Sequence, residues 1–187
     1  MRKINLKDVF IPTISLFIIC LLMTAALAVT NSITSTKIAE NEAQTQQESM
    51  TVVCPKAVSF EEISDTVFKG LDANGNVVGY AISTVANGYG GQVKVMTGIS
   101  DGEIINIDVY YNDDETPGLG KNTSNESFTS QFSGLLASEM IVVDKDYSGK
   151  GPKVDAVTSS TISSRAVVAA VNEATEIYNK EIAGGEQ

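Results

Sequence analysis

A dense run of hydroxyl side chains stands directly before an apolar, alanine-rich segment near the carboxyl terminus. The run consists of Thr158, Ser159, Ser160, Thr161, Ser163 and Ser164. One such hydroxyl could cap the start of a helix, which would leave the others as ordinary loop polarity. Alternatively, the free N–H groups and the dipole of the helix would bind a phosphate, with the hydroxyls as further donors. The cations Lys150, Lys153 and Arg165 flank the run, and the spacing alone leaves both explanations open.

A second candidate is the segment DDETPGLG, residues 113–120. Pro117 and Gly118 are typical of the centre of a type II turn, which would leave Leu119 exposed beside it. Gly120 would then allow another part of the chain to approach closely. Such a turn could place backbone amides and a leucyl side chain against a flat ring, or it could be a surface connection between two elements.

The composition excludes several kinds of site. The 187 residues include no histidine, so Ser-His-Asp and Cys-His catalysis and most zinc and copper sites lack their imidazole. The two cysteines, Cys20 and Cys54, cannot supply the four thiolates of an iron–sulfur cluster. Residues 72–76 begin like a calcium loop, but Val77 stands where that loop needs glycine and Ser83 where it needs glutamate. We expect no metal site, and the net charge of −10 also disfavours nucleic acid as a partner.

An uncharged apolar run, Val9 to Val29, follows a basic amino terminus. The basic residues are Arg2, Lys3 and Lys7. The run matches the roughly 20 residues that a membrane-spanning helix needs, so residues 9–30 are predicted to cross the membrane. The positive-inside rule places residues 1–8 in the cytoplasm and the remainder of the chain outside it. A cleaved signal peptide is the alternative, because Ala26 to Ala28 resemble a cleavage site, and it exports the same remainder.

The chain after the anchor changes from polar to strand-like composition. Residues 31–51 are rich in Ser, Thr, Gln and Glu and are predicted to form a polar stalk, with the folded domain at residues 52–187. Four runs have the composition of strands, and these are VFKGL, VVGYAISTV, VKVMTGI and EIINIDVYY. Turn residues separate the first from the second and the third from the fourth, which predicts two hairpins in an antiparallel meander.

Helical patterns follow the strands. Residues 124–137 predict a short helix with Phe128 and Phe132 on one face, capped by Ser124 or Asn125. The final helix is expected after the hydroxyl run, where apolar positions recur at helical spacing. These positions are Val167, Val171, Ala174 and Tyr178. Strands followed by helices indicate an α+β domain, so we expect an amino-terminal transmembrane helix and one domain with an antiparallel sheet and flanking helices.

These motifs together resemble the membrane-anchored, FMN-binding G subunits of the Rnf ion-translocating ferredoxin:NAD oxidoreductase, and are similar to the C subunits of the sodium-pumping NADH:quinone reductase. The resemblance covers the anchor, the stalk, GYGG at residues 88–91, ETPGLG at residues 115–120 and DAVTSSTISSRAV from Asp155. In that family a threonine carries FMN through a phosphodiester, which a flavin transferase installs from FAD. By resemblance, the threonine of this chain is Thr161.

The resemblance also implies the other cofactor-binding residues. Recognition and phosphate contacts would fall on Asp155, Thr158, Ser159 and Ser160, with Lys153 beside them. The flavin ring would contact the ETPGLG turn, through Glu115, Thr116, Gly118 and Leu119, whereas Gly90 and Gly91 are expected to be structural. Two departures from the family stand out: Ser159 and Ser160 replace the usual Gly-Ala, and Asp113 stands where relatives often have histidine. No proton-transfer role is assigned to Asp113.

The function that the resemblance implies is electron relay. Covalent FMN would accept electrons from an iron–sulfur centre in membrane-embedded partner subunits and pass them to the next flavin, so the chain alone would not be a complete enzyme. The implied partners are the membrane and peripheral subunits of the complex, the flavin transferase during maturation, and membrane lipid. The alternatives are the corresponding component of the sodium-pumping quinone reductase, a stand-alone extracellular flavoprotein, and a non-redox, membrane-anchored binding module.

Overall fold

A computed structural model describes residues 6–185, in two units that divide the chain into Met1–Gln44 and Thr45–Gln187. Helix α1 runs from Leu6 to Val53. It is the one helix among the described residues that is long and apolar enough to cross a membrane, by length and composition. The predicted basic residues Arg2 and Lys3 lie outside the described part of the chain.

The polar segment after the apolar run continues the same helix. Thr30 and Thr34 donate their hydroxyls to the carbonyl oxygens of Ala26 and Thr30, at 3.0 and 2.9 Å. Their polar atoms are therefore satisfied within the helix. Residues 31–51, the predicted polar stalk, are helical throughout.

The last turns of α1 belong to the second unit, where they contribute to a small hydrophobic cluster. The cluster consists of Met50, Val53, Cys54, Ala81 and Met96. The second unit begins at Thr45, so it includes these turns. Composition alone does not reveal that one face of a polar helical segment is buried. Burial raises the pKa of the Cys54 thiol to about 12, so Cys54 is a neutral core side chain.

Five antiparallel strands form the sheet of the second unit, in the order in which they occur along the chain. They are β1 (Ser59–Ser64), β2 (Val67–Leu71), β3 (Val77–Asn87), β4 (Gln92–Ser100) and β5 (Glu103–Tyr111). The two predicted hairpins correspond to β2–β3 and β4–β5, which confirms the meander. Turns with positive φ connect them, at Gly75 in the first hairpin and at Asp101 and Gly102 in the second. Strand β1 is an additional edge strand that the sequence did not predict.

The sheet is covered on both faces. Val95 and Ile99 of β4 pack in the main core with Val167 and Val171 of the last helix, α3 (Thr161–Ile177). On the opposite face, Gly98 lies against the backbone of Val53, so closely that a Cβ at this position would overlap the Val53 carbonyl oxygen. The sheet therefore holds α3 on one face and the end of α1 on the other. This arrangement confirms the predicted α+β class.

The chain between β5 and α3 is less regular than predicted. Instead of one helix over residues 124–137, there are a 3₁₀ helix (Gly120–Ser124), the four-residue α2 (Glu126–Thr129) and a 3₁₀ turn (Ser130–Phe132). Asn125 occupies the N-cap position of α2 but makes no side-chain capping bond there, and neither Asn125 nor Ser124 caps a longer helix. Phe128 and Phe132 are both buried and meet edge to face, with ring centroids 5.5 Å apart. Short strands β6 (Val142–Val143) and β7 (Lys153–Val154) pair in parallel, and a π-helical segment (Tyr178–Ile182) follows α3.

Candidate functional site

The hydroxyl run forms the entry to α3. Ser160 is the N-cap residue and Thr161 is the first residue of the helix, but no side chain caps the helix there. Ser164 stabilises the preceding loop instead, because its hydroxyl accepts from the Val157 N–H at 3.0 Å and donates to the Ser160 carbonyl oxygen at 2.9 Å. Capping of α3 therefore does not explain the hydroxyl run.

Ser160 carries a polar atom without a partner. Its side chain is only 6% exposed, and its hydroxyl oxygen is buried with no hydrogen-bond partner. Ser49 and Thr97 also bury a hydroxyl without a partner, but of the three only Ser160 lines the cavity described below, where a ligand could supply the missing hydrogen bond. Ser159, the preceding residue, has a φ of 62° and an exposed side chain, and Thr161 is half-buried.

Glu115 connects three separate parts of the chain. Its carboxylate is 2% exposed and accepts hydrogen bonds from the backbone N–H groups of Tyr89, at 2.7 Å, and Gly90, at 3.3 Å. The other carboxylate oxygen accepts from the Ser163 hydroxyl at 2.8 Å. A buried carboxylate thus holds the β3–β4 turn, the ETPGLG segment and the first turn of α3 together.

The ETPGLG segment forms the predicted turn. The Leu119 N–H donates to the Thr116 carbonyl oxygen at 3.1 Å, and Gly118 has a φ of 76°, as a type II turn requires at this position. The Leu119 side chain is 41% exposed, which confirms the prediction that it lies at the surface.

Glycines allow these segments to approach closely. A Cβ at Gly88 would overlap a carboxylate oxygen of Glu115, and one at Gly120 would overlap the other oxygen. A Cβ at Gly90 would overlap the backbone carbonyl oxygen of Asp114. Gly90 and Gly91 therefore have the structural role expected from the sequence, since both pack on Asp114, and Gly88 has a similar role against Glu115.

A cavity of about 520 Å³ opens where the three segments meet. Its lining includes six of the predicted site residues, namely Glu115, Thr116, Leu119, Ser159, Ser160 and Thr161. It also includes four residues that were not predicted as part of the site, namely Tyr89, Gly120, Ile162 and Ser163. The volume lies in the range of roughly 300–1,000 Å³ that is typical of cofactor pockets. The GYGG motif contains Tyr89, and its position between glycines is the signal in the sequence that a side chain could be presented there.

Three of the other predicted residues lie beside this cavity. A second cavity of about 750 Å³ is lined by Gly118, Asp155 and Thr158, and it shares Leu119 and Ser159 with the first. Gln131 fixes the Asp155 backbone there, because its side-chain amide accepts from the Asp155 N–H at 2.7 Å and donates to the Asp155 carbonyl oxygen at 3.3 Å.

Two of the flanking cations, Lys153 and Arg165, make contacts elsewhere and line neither cavity. The Lys153 ammonium lies over the ring of Tyr147, 5.3 Å from its centroid, and lines neither of the two cavities described. The Arg165 guanidinium makes two hydrogen bonds of 2.6 Å to the Asp146 carboxylate. This pairing lowers the pKa of Asp146 and raises that of Arg165. The residues that line the first cavity offer a phosphate at the start of α3 hydroxyls and backbone N–H groups, and no cation is among them.

Two family descriptions match the chain. One is RnfG N-terminal region, over residues 1–53, and the other is FMN-binding domain, over residues 88–176. The second match begins at the GYGG turn and ends within α3, so it contains every segment that lines the first cavity.

Curated relatives match nearly the whole chain. The G subunit of the Na(+)-translocating ferredoxin:NAD(+) oxidoreductase complex of Acetobacterium woodii is 37% identical, with 94% of each chain covered. The G subunit of an ion-translocating oxidoreductase complex of Methanosarcina acetivorans is 30% identical, over 94% of this chain and 97% of the relative. The crystal structure of the C subunit of the Na(+)-translocating NADH-quinone reductase of Parabacteroides distasonis has the same fold, with a TM-score of 0.52 and 22% identity over 61% of this chain and 60% of that one. The chain therefore belongs to the family of G subunits of ion-translocating ferredoxin:NAD oxidoreductase complexes and contains an FMN-binding domain.

Proposed function

We propose that the chain carries FMN as a phosphodiester on the Thr161 hydroxyl and relays electrons within its complex from the extracytoplasmic side of the membrane. The observation that carries this proposal is the buried, unpartnered hydroxyl of Ser160, next to Thr161 on the wall of the 520 Å³ cavity. A phosphate oxygen would supply the hydrogen-bond partner that this hydroxyl lacks.

The start of α3 fits a phosphate in two further respects. A 17-residue helix presents free N–H groups and the positive end of its dipole at Thr161. A phosphodiester retains one negative charge, which these groups offset although Arg165 is occupied by Asp146. Attachment from FAD balances as a transfer: the Thr161 oxygen bonds to the phosphorus of the FMN half, the bond to the AMP half breaks, and AMP leaves as the hydroxyl proton is released.

The walls of the same cavity fit the rest of the cofactor. Thr116 and Leu119 stand on the ETPGLG turn, and the Glu115 carboxylate fixes that turn relative to α3. When bound, the isoalloxazine ring supplies one- and two-electron redox chemistry. The chain's own contribution is to hold the ring in one place and to exclude water from one side of it.

A covalent link suits the proposed location. The basic flank of α1 favours an orientation in which the second unit lies outside the cytoplasm. Even nanomolar noncovalent binding, about −12 kcal/mol, would permit loss of the cofactor by dilution there. We propose electron exchange with iron–sulfur and flavin subunits of the same complex, in the membrane and at its surface. Labelling of a Ser148→Cys variant by an impermeant maleimide on intact cells tests the orientation, because Ser148 is exposed.

The attachment is tested by intact-mass measurement of the full chain after co-expression with a flavin transferase. We expect the mass of one FMN less water, and yellow colour that survives denaturation. Thr161→Val keeps the shape of the side chain but lacks the hydroxyl, so it should have the mass of the polypeptide alone. Thr66→Val, at an exposed position between β1 and β2, should load like the unmodified chain. An unmodified mass for the wild type would refute the proposal and favour a non-redox binding module, whereas a loaded Thr161→Val would refute Thr161 as the attachment residue.

A further inference from the structure

Three exposed apolar side chains converge on the 520 Å³ cavity from three different segments. Tyr89 of the β3–β4 turn is 71% exposed, Leu119 of the ETPGLG turn is 41% exposed, and Ile162 in the first turn of α3 is 51% exposed. Single exposed apolar residues are common on protein surfaces, but a group that lines one concave site is typical of a binding surface. Such a surface suits a flat, largely apolar ligand.

The backbone holds Tyr89 in a defined place. Its N–H donates to the buried Glu115 carboxylate, and the glycines on either side pack too closely for a Cβ. The turn that presents the phenol ring is therefore anchored, although the ring itself is largely exposed. Ordering this side chain against a ligand requires no rearrangement of the main chain, which favours binding.

We infer that Tyr89 packs against the flavin ring and that the ring occupies the cavity of about 520 Å³, the smaller of the two described. This inference rests on the proposed function. The wall of this cavity offers an aromatic ring and two aliphatic side chains. The larger cavity presents mainly polar groups, among them Asn122, Asn125 and Gln131. Two of these amides are already engaged, Asn122 with the Gly118 carbonyl oxygen at 2.7 Å and Gln131 with the Asp155 backbone.

The electron-rich character of the phenol determines whether contact with Tyr89 raises or lowers the midpoint potential of the flavin. The electron-rich phenol attracts the electron-poor oxidised ring more strongly than the reduced ring, so Tyr89 lowers the midpoint potential of the bound flavin. A phenol in contact with a flavin also quenches its fluorescence by donating an electron to the excited ring. Neither effect is expected from a tyrosine that serves only to shape the turn.

The test uses the full chain, loaded by the transferase. Tyr89→Leu should raise the midpoint potential by about 15–30 mV, which corresponds to a threefold to tenfold loss of preference for the oxidised ring. Its flavin fluorescence should increase severalfold. Tyr89→Phe retains the aromatic contact, so its potential should stay close to that of the wild type while its fluorescence increases.

Two matched controls separate this contact from other effects. Tyr147→Leu makes the same change at a half-exposed tyrosine that lies against Lys153, and Ser127→Leu adds bulk to the larger cavity. Both variants should keep the potential and fluorescence of the wild type. The inference is overturned if Tyr89→Leu matches the wild type in both measurements, or if Ser127→Leu produces the changes in its place. Intact mass reports attachment separately. If the chain carries FMN but Tyr89→Leu changes neither the potential nor the fluorescence, this inference is wrong and the proposed function is unaffected.

Discussion

Replacing Glu115 with alanine would remove the carboxylate that joins three segments of the site. The two short hydrogen bonds, from the Tyr89 N–H at 2.7 Å and the Ser163 hydroxyl at 2.8 Å, both go to an ionisable acceptor that is 2% exposed. Hydrogen bonds to charged groups contribute about 1.5–3 kcal/mol each, so the two together give about 3–6 kcal/mol. Water can enter through the adjoining cavity and hydrate the freed donors. We therefore expect Glu115→Ala to lower the free energy of unfolding by about 3 kcal/mol, near the lower end of this range.

Glu115→Gln separates the charge from the contacts. Its amide oxygen can accept from the Tyr89 N–H while its amide nitrogen donates to the Ser163 oxygen, so both contacts persist as neutral hydrogen bonds. Neutral bonds contribute about 0.5–1.5 kcal/mol each, and we expect Glu115→Gln to lose about 1–2 kcal/mol in total. Glu62→Ala, at an exposed position on the edge strand, serves as the control and should stay within about 0.5 kcal/mol of the wild type.

The assay is urea unfolding of a fragment comprising residues 45–187, followed by far-ultraviolet circular dichroism at neutral pH. This fragment corresponds to the second unit and omits the apolar part of α1. The free energy of unfolding is obtained by linear extrapolation, with the slope compared among variants. A loss below about 1 kcal/mol for Glu115→Ala would refute the reasoning, because surface substitutions alone reach about half that value. Equal losses for the alanine and glutamine variants would show that the retained contacts contribute nothing.

Two further predictions concern the packing of α1 and the behaviour in acid. Gly98→Ala should destabilise the second unit by about 1–3 kcal/mol, because its Cβ would overlap the Val53 carbonyl oxygen, and an unchanged thermal midpoint would contradict this. Arg165 lowers the pKa of Asp146 below its usual 3.8, so this ion pair stabilises the folded state above about pH 4 and is lost as the pH falls through the lowered pKa. The free energy of unfolding of Asp146→Asn, measured by urea titration, should therefore fall less between about pH 5 and pH 3 than that of the wild type. The same fall in both proteins would contradict this prediction.

The sheet was largely predictable because its turns are local. Within the two turns, Gly75, Asp101 and Gly102 adopt the positive φ values that such hairpins need, and the flanking runs are rich in β-branched residues. Strand β1, Ser59–Ser64, could not be recognised in this way. Its residues are mostly exposed and polar, and it is a strand because its backbone pairs with β2. Pairing of this kind leaves little trace in composition.

The sequence indicated the separate segments of the candidate site but not the contacts that bring them together. Sequence motifs identified Thr161, Ser160 and the ETPGLG turn, all of which line one cavity. The contacts of Glu115 span 26 residues to Tyr89 and 48 to Ser163, and no local pattern predicts such distant pairs. Lys153 was predicted to lie beside the phosphate contacts, and its ammonium packs on the ring of Tyr147 and lines neither cavity, a placement that sequence proximity does not reveal.

The left-handed backbone at Ser159 bears on how this chain departs from its family. A φ of 62° is unfavourable for a residue with a Cβ, by roughly 1–2 kcal/mol, and carries no such penalty for glycine, the residue usual in the family motif. The chain thus tolerates a locally disfavoured conformation in the loop that precedes Thr161, with the serine side chain on the wall shared by two cavities. Ser159→Gly would remove this backbone penalty, so a single substitution would let the loop before Thr161 adopt the same conformation without strain.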